Sequence, residues 1–203
     1  MAPLHLLLTA DEFNATVCAN IATTTTPCLT GLYVAQTPIE NLTPALQRNV
    51  PVPELVRSAG RGDVYGSSVW LGLEPTYTPL HRDPNPNLFV QLCGAKTVRL
   101  LPPAAGDALY RTVRTAAAAV GGDGGGGGGG NLRHDDMMLE PERSLLMDAV
   151  WGTGPGLENG EGGMLEVCVE PGDALFIPLG WWHSVRSWNM DGRINGSVNW
   201  WFR

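Results

Sequence analysis

The chain has 203 residues, of which 43% are hydrophobic and 16% charged, and a formal net charge of −7. That length suits one domain (1–203) with a substantial core, and the acidic balance argues against a general nucleic-acid binder, which carries a basic patch. No apolar run is long enough to span a membrane, and the short apolar start lacks the basic stretch of a secretory signal.

In chain order, Thr9-Ala10-Asp11-Glu12-Phe13 reads as a helix start with Thr9 as N-cap and acids in the first turn. Residues 23–27 read as a loop, 32–36 as a short strand and 38–48 as a short helical turn. From residue 67 the texture changes to short strands bounded by turn signals, which points to a sandwich or barrel. The expected strands are 67–73, 87–93, 96–101, 165–169, 174–177, 183–187 and 197–202. Residues 104–163 break this rhythm and contain a seven-glycine run. A mobile Gly-rich insertion is expected there, with 145–151 packing back onto the domain. The cysteines Cys18, Cys28, Cys93 and Cys168 include no C-x-x-C pair, so zinc and redox motifs are weakly supported. Reduced thiols inside the cell, in nucleus or cytoplasm, are the expected state.

The chemistry concentrates at three places. His81 and Asp83 form an H-x-D pair, and residues i and i+2 of an extended chain point to one face. Pro79 and Pro84 bracket the pair and favour extended backbone. His183 follows the expected strand 174–177 and a Pro178-Leu179-Gly180 turn. Two histidines and one carboxylate make the facial triad of non-haem Fe(II) oxygenases, which leaves coordination positions open. The single lysine, Lys96, is the third place. Cys93-Gly94-Ala95-Lys96 reads as a two-residue type II′ hairpin turn, pairing Cys93 with Lys96, Gln91 with Val98 and Phe89 with Leu100. Asn87, Phe89, Gln91, Cys93 and Lys96 then share one face, suited to a barrel interior that holds a charged ligand. The plain alternatives are surface histidines and a solvated hairpin with a snorkelling lysine.

Beyond these residues the chain resembles the JmjC (Jumonji C) family of Fe(II)/2-oxoglutarate oxygenases, most of all its small arginyl and asparaginyl protein hydroxylases. The matching text is Leu32-Tyr33-Val34-Ala35-Gln36, Thr78-Pro79-Leu80-His81-Arg82-Asp83 and Asn87 through Lys96. It continues with Leu101-Pro102-Pro103, with Pro171 through His183, and with Ser197-Val198-Asn199-Trp200-Trp201. The resemblance implies an all-β core, a double-stranded β-helix (cupin-like jelly-roll barrel) with a few peripheral helices. It implies His81, Asp83 and His183 as catalytic iron ligands. Lys96 would pair with the distal carboxylate of 2-oxoglutarate, helped by Thr78 and Tyr33, with Asn87 and Asn199 lining the pocket. The cofactors implied are Fe(II), 2-oxoglutarate and O2, and the products include succinate and CO2. The chain departs from the family in carrying only about thirty residues before the tyrosine segment and in the Gly-rich insertion.

The function expected from the resemblance is hydroxylation of a protein side chain, arginine or another basic residue. A protein or peptide partner, basic or histone-like, is expected, and neither nucleic acid nor membrane. The nearest alternative is histone lysine or arginine demethylation by the same chemistry. A tRNA-base hydroxylase, a cupin enzyme that uses metal alone and a catalytically silent cupin binding module are more distant readings. Trp181, Trp182, Trp188, Trp200 and Trp201 are expected mostly to pack. Arg82 and Arg186 are open between substrate contact and ion pairing, and His134 is expected to be solvated.

Overall fold

In the chain's computed structural model, described for residues 4–19, 28–59, 61–121, 141–152 and 163–203, alternating apolar residues build nine strands. The loop expected at 23–27, the glycine tract and His134 lie outside the described residues. The strands are β1 (Tyr33–Pro38), β2 (Val64–Leu73), β3 (Tyr77–Arg82), β4 (Asn87–Cys93), β5 (Lys96–Leu101), β6 (Leu165–Val169), β7 (Ala174–Ile177), β8 (Trp182–Ser187) and β9 (Ile194–Phe202). They form two antiparallel sheets, ordered β1-β2-β9-β4-β7 and β3-β8-β5-β6. This is the expected jelly-roll sandwich.

Period-two alternation assigns each side chain to a layer. On β4, Phe89 faces the other sheet and packs with Val98, Leu100, Val169, Ile177 and Val185. Its neighbour Leu88 faces outward, where Val69, Val198, Trp200 and Phe202 meet Ile39 and Val56. Those last two come from a 3-10 turn (Ile39–Asn41) and from α3 (Glu54–Ser58), which with α2 (Pro44–Asn49) follow β1.

The expected β4–β5 hairpin does not form. Cys93 pairs with Gly196 of β9, whereas Lys96 pairs with Ser187 of β8 and Val169 of β6, so the two strands belong to different sheets. The two residues between them carry the chain across a corner from one layer to the other. Gly94 does take the positive φ (65°) anticipated for it. A Cβ there would lie 2.6 Å from the Asn195 amide. The Gln91 amide donates to the Cys93 and Gly94 carbonyls and to Asn195 Oδ1, at 2.8, 3.0 and 3.0 Å, and so fixes the corner.

Two helices also differ from expectation. Helix α1 runs Leu4–Ala19, so Thr9 lies inside it rather than at its N-cap. Its Leu7 and Ala10 are buried against Leu73. Residues 104–121, expected to be part of a mobile insertion, lie in α4 (Pro103–Gly121). Alanine is the best helix former, and Tyr110 and Val113, three apart, share a buried face. Helix α5 (Glu142–Trp151) packs back as expected. Tyr110 donates to Glu142 Oε1 at 2.9 Å, tying α4 to α5. The Trp151 ring lies under both Arg99 (4.6 Å) and Arg186 (4.3 Å).

Leu80, Leu101 and Trp182 of the four-stranded sheet bury their side chains under these helices with Leu146 and Val150. Leu80 has no exposed surface. Leu80→Ala is expected to destabilise the chain by about 2–5 kcal/mol through lost transfer energy and an unfilled cavity. Urea unfolding with an unchanged m-value checks this.

Candidate metal centre and cavity

β3 and β8 place the two histidines opposite each other. His81 and His183 are direct cross-strand partners, with ring centroids 4.1 Å apart. Asp83 follows the end of β3, and its Oδ2 lies 3.7 Å from His183 Nε2. One ligand atom from each of the three residues lies within 4.8 Å of the others. Each imidazole turns Nδ1 to a backbone carbonyl, His81 to Pro79 at 2.8 Å and His183 to Trp181 at 3.5 Å. A proton on Nδ1 leaves the Nε2 lone pair for a cation. Burial, and next His81, push the His183 imidazole down to about 4, so it is neutral at physiological pH and fit to ligate. Burial opposes charge on Asp83, but the neighbouring His183 and His81, together with hydrogen bonding from Asn87, outweigh it and hold the carboxyl below its usual range. Asn87 Nδ2 donates to Asp83 Oδ2 at 2.8 Å, and Asn199 Nδ2 donates to Asn87 Oδ1 at 2.8 Å. The two asparagines therefore form a relay that orients the carboxylate, besides lining the cavity.

That cavity has a volume of about 300 Å³, at the lower end of small-ligand sites. His81, Asp83, His183, Lys96, Thr78, Tyr33, Asn87 and Asn199 all line it, so every residue expected at the site is brought to one place. Lys96 is 2% exposed, and its ammonium donates to Ser197 Oγ at 2.7 Å over the Phe89 ring at 5.4 Å. Among the described residues no carboxylate lies within ion-pair distance of it. Burial pushes the ammonium down to about 7. A buried cation short of an anion is costly, and a carboxylate-bearing ligand in the cavity offsets that cost. Tyr33 Oη and Thr78 Oγ1 stand 3.4 Å apart on the same wall, and burial raises the phenol to about 12, so it stays a hydroxyl.

Two bulges make this wall. In a regular strand, residues three apart face opposite ways, yet Thr78 and His81 line one cavity, as do Tyr33 and Gln36. The β3–β8 register shifts between Thr78 and His81, and the β1–β2 register shifts between Val34 and Thr37. An extra residue in each strand re-aims the side chains beyond it. Ser184 Oγ satisfies the Thr78 carbonyl at the first bulge, at 2.9 Å. Gln36 takes a positive φ of 51° at the second, a strained state for a side-chain-bearing residue.

Sequence reasoning did not single out Ser197, Gln36, Trp70 or Val185 as cavity residues. Ser197 had a signal, since it shares strand parity with Asn199 and Trp201, which also line the cavity. The tryptophans divide. Trp182 and Trp200 are buried in outer clusters, Trp201 faces the cavity and Trp188 is 61% exposed. Arg82 forms an ion pair with Asp107 at 3.0 Å.

A two-sheet sandwich with a two-histidine, one-carboxylate cluster between its layers defines a cupin-type protein with a site fit for a divalent transition metal. The cupin-like domain family matches residues 9–203, and the chain belongs to that family. Its relatives include proteins named for the JmjC domain, the family of the resemblance. The chain is 30% identical to Jumonji C domain-containing protein 5 of Drosophila melanogaster over 76% of its own length and 33% of that protein's. It is 29% identical to lysine-specific demethylase 8 of Danio rerio (84% and 36%). It is 28% identical to lysine-specific demethylase JMJ30 of Arabidopsis thaliana (84% and 33%). The chain spans about a third of the length of the curated relatives it matches.

Proposed function

We propose that this chain is the catalytic domain of an Fe(II)- and 2-oxoglutarate-dependent oxygenase that hydroxylates a protein side chain. The observation that carries the proposal is one cavity holding both the His81–Asp83–His183 cluster and the buried Lys96–Ser197 pair. His81 and His183 present Nε2, and Asp83 a relay-oriented carboxylate, to the iron. Lys96 supplies the cation for the far carboxylate of 2-oxoglutarate, with the Tyr33 and Thr78 hydroxyls as neutral donors. When bound, iron and 2-oxoglutarate supply O2 activation coupled to oxidative decarboxylation, releasing succinate and CO2. The surrounding Trp70, Phe89 and Val185 limit water at the reacting centre.

The substrate proposed is a basic side chain, arginine foremost, in keeping with the net charge of −7. Demethylation of an N-methyl lysine or arginine is the second reading, favoured by relatives that carry the name lysine-specific demethylase. A panel of unmodified and N-methylated basic peptides separates the two by mass spectrometry. Hydroxylation adds one oxygen atom, whereas demethylation removes a methyl group and releases formaldehyde. Succinate release without either change in any peptide would count against both.

The proposal carries a pH dependence. Below about pH 7 Lys96 is already protonated, and affinity for 2-oxoglutarate is independent of its titration. Above that value binding must take up a proton. The dissociation constant is then expected to rise by up to about tenfold per pH unit. Calorimetric titration of the Mn(II)-loaded protein with 2-oxoglutarate checks this, and a flat profile through pH 9 would contradict it.

A further inference from the structure

The rung of the β3–β8 ladder next to the ligand pair is Arg82 opposite Trp182. Arg82 lies between His81 and Asp83 in the chain, and Trp182 immediately precedes His183. Both side chains converge on one atom of α4. Asp107 Oδ1 accepts from Arg82 Nη1 at 3.0 Å and from Trp182 Nε1 at 3.1 Å. The Arg82 guanidinium also lies 5.3 Å from the Trp182 ring. The fit between α4 and this rung is close. Trp182 is 1% exposed, its ring is 4.8 Å from that of Tyr110, and a Cβ at Gly106 would fall 2.2 Å from Trp182 Cδ1. Only a residue without a side chain can stand where α4 crosses the ring.

We propose that Asp107 is a positioning residue for the metal centre, clamping the Arg82–Trp182 rung and so fixing His81 and Asp83 relative to His183. The physical basis is that all three ligands adjoin the clamped pair, and β3 is bulged immediately before it. A bulged strand has lost part of its ladder and needs another restraint to hold its side chains in one place. A charge-assisted bond to Arg82, shared with an indole N–H, supplies it from outside the sheet. The inference rests on the reading of the triad as a metal centre.

Co(II), which absorbs visibly, tests it without turnover. Titration of wild type and variants gives the Co(II) dissociation constant, and the d–d spectrum at saturation reports the ligand geometry. Asp107→Ala is expected to weaken Co(II) binding about tenfold or more, the scale for loss of an outer-shell partner, and to alter the saturated spectrum. Asp107→Asn keeps an acceptor oxygen for both donors and is expected to recover most of the affinity. Val113→Ala trims the buried face of the same helix but leaves both hydrogen bonds to Asp107 in place. It is expected to lower stability while leaving the Co(II) constant and spectrum as in wild type. If Asp107→Ala is recovered unfolded, Asp107→Ser, too short for both donors, carries the same prediction.

Wild type that binds no Co(II) would overturn the metal reading and this inference with it. Wild-type binding matched by Asp107→Ala, in constant and spectrum, would overturn the clamp alone. Equal weakening by Asp107→Ala and Val113→Ala would assign the effect to helix docking and also overturn it.

Discussion

Replacing Asp83 with alanine is expected to abolish metal-dependent activity and to weaken Fe(II) binding by far more than about 100-fold, the upper range for outer-shell losses. The carboxylate is the anionic member of the cluster, and two imidazoles alone do not hold a labile divalent ion well. The same change should lower stability only by what one lost hydrogen bond costs. His183 is held neutral by its burial, so removing the carboxylate strands no buried cation. It does leave the Asn87 amide without its acceptor, a cost of about 1–3 kcal/mol. Equilibrium dialysis with Fe(II) under argon, together with urea unfolding, measures both. Retained Fe(II) affinity in Asp83→Ala would mean that the ion sits elsewhere.

Lys96→Met is expected to separate stability from function. Losing a buried charge-assisted contact costs about 3–5 kcal/mol of cosubstrate binding, or roughly 100- to 4000-fold in 2-oxoglutarate affinity. Fe(II) affinity should hold, because Lys96 is not a ligand. The cosubstrate-free protein should become more stable. Burial takes the lysine from its ordinary 10.5 down to about 7 in the folded chain, so the unfolded chain binds more protons between those values. The resulting penalty is complete below about pH 7 and fades as pH rises toward 10.5. Methionine removes the penalty but leaves Ser197 Oγ without its donor. The net gain near neutral pH is on the order of 2 kcal/mol. A destabilised variant with unchanged 2-oxoglutarate affinity would contradict both halves.

The strands were the most legible part of the fold. Those at 87–93, 96–101, 165–169 and 174–177 coincide with β4, β5, β6 and β7, because alternation and turn residues mark their ends locally. Their pairing was not legible. Two apolar runs separated by Gly94-Ala95 read as a hairpin, while the actual corner depends on Asn195, about a hundred residues away, meeting Gln91 and Gly94. The inward face of β4 and β5 was still right, since parity along each strand does not depend on which neighbour it pairs with. Helix α4 was missed because its alanines and glycines resemble low-complexity sequence, and Tyr110 and Val113 gain meaning only against Trp182 and Leu146.

The site divides the same way. His81 and Asp83, two apart, were legible from strand period alone. Thr78 and Tyr33 came only through the family resemblance, because the bulges that turn Thr78 beside His81 and Tyr33 beside Gln36 leave no periodic trace. Asp107 had no local signal, since its partners are set by how α4 crosses the sheet.

The most direct test of the central claim is an anaerobic titration of the apo-protein with Fe(II) and then 2-oxoglutarate, followed in the visible range for the charge-transfer band of the iron chelate. The account predicts a saturable band in wild type that is absent in His81→Ala and much weakened in Lys96→Met. Well-folded wild type that develops no band would contradict it and leave the chain a cupin without this cosubstrate.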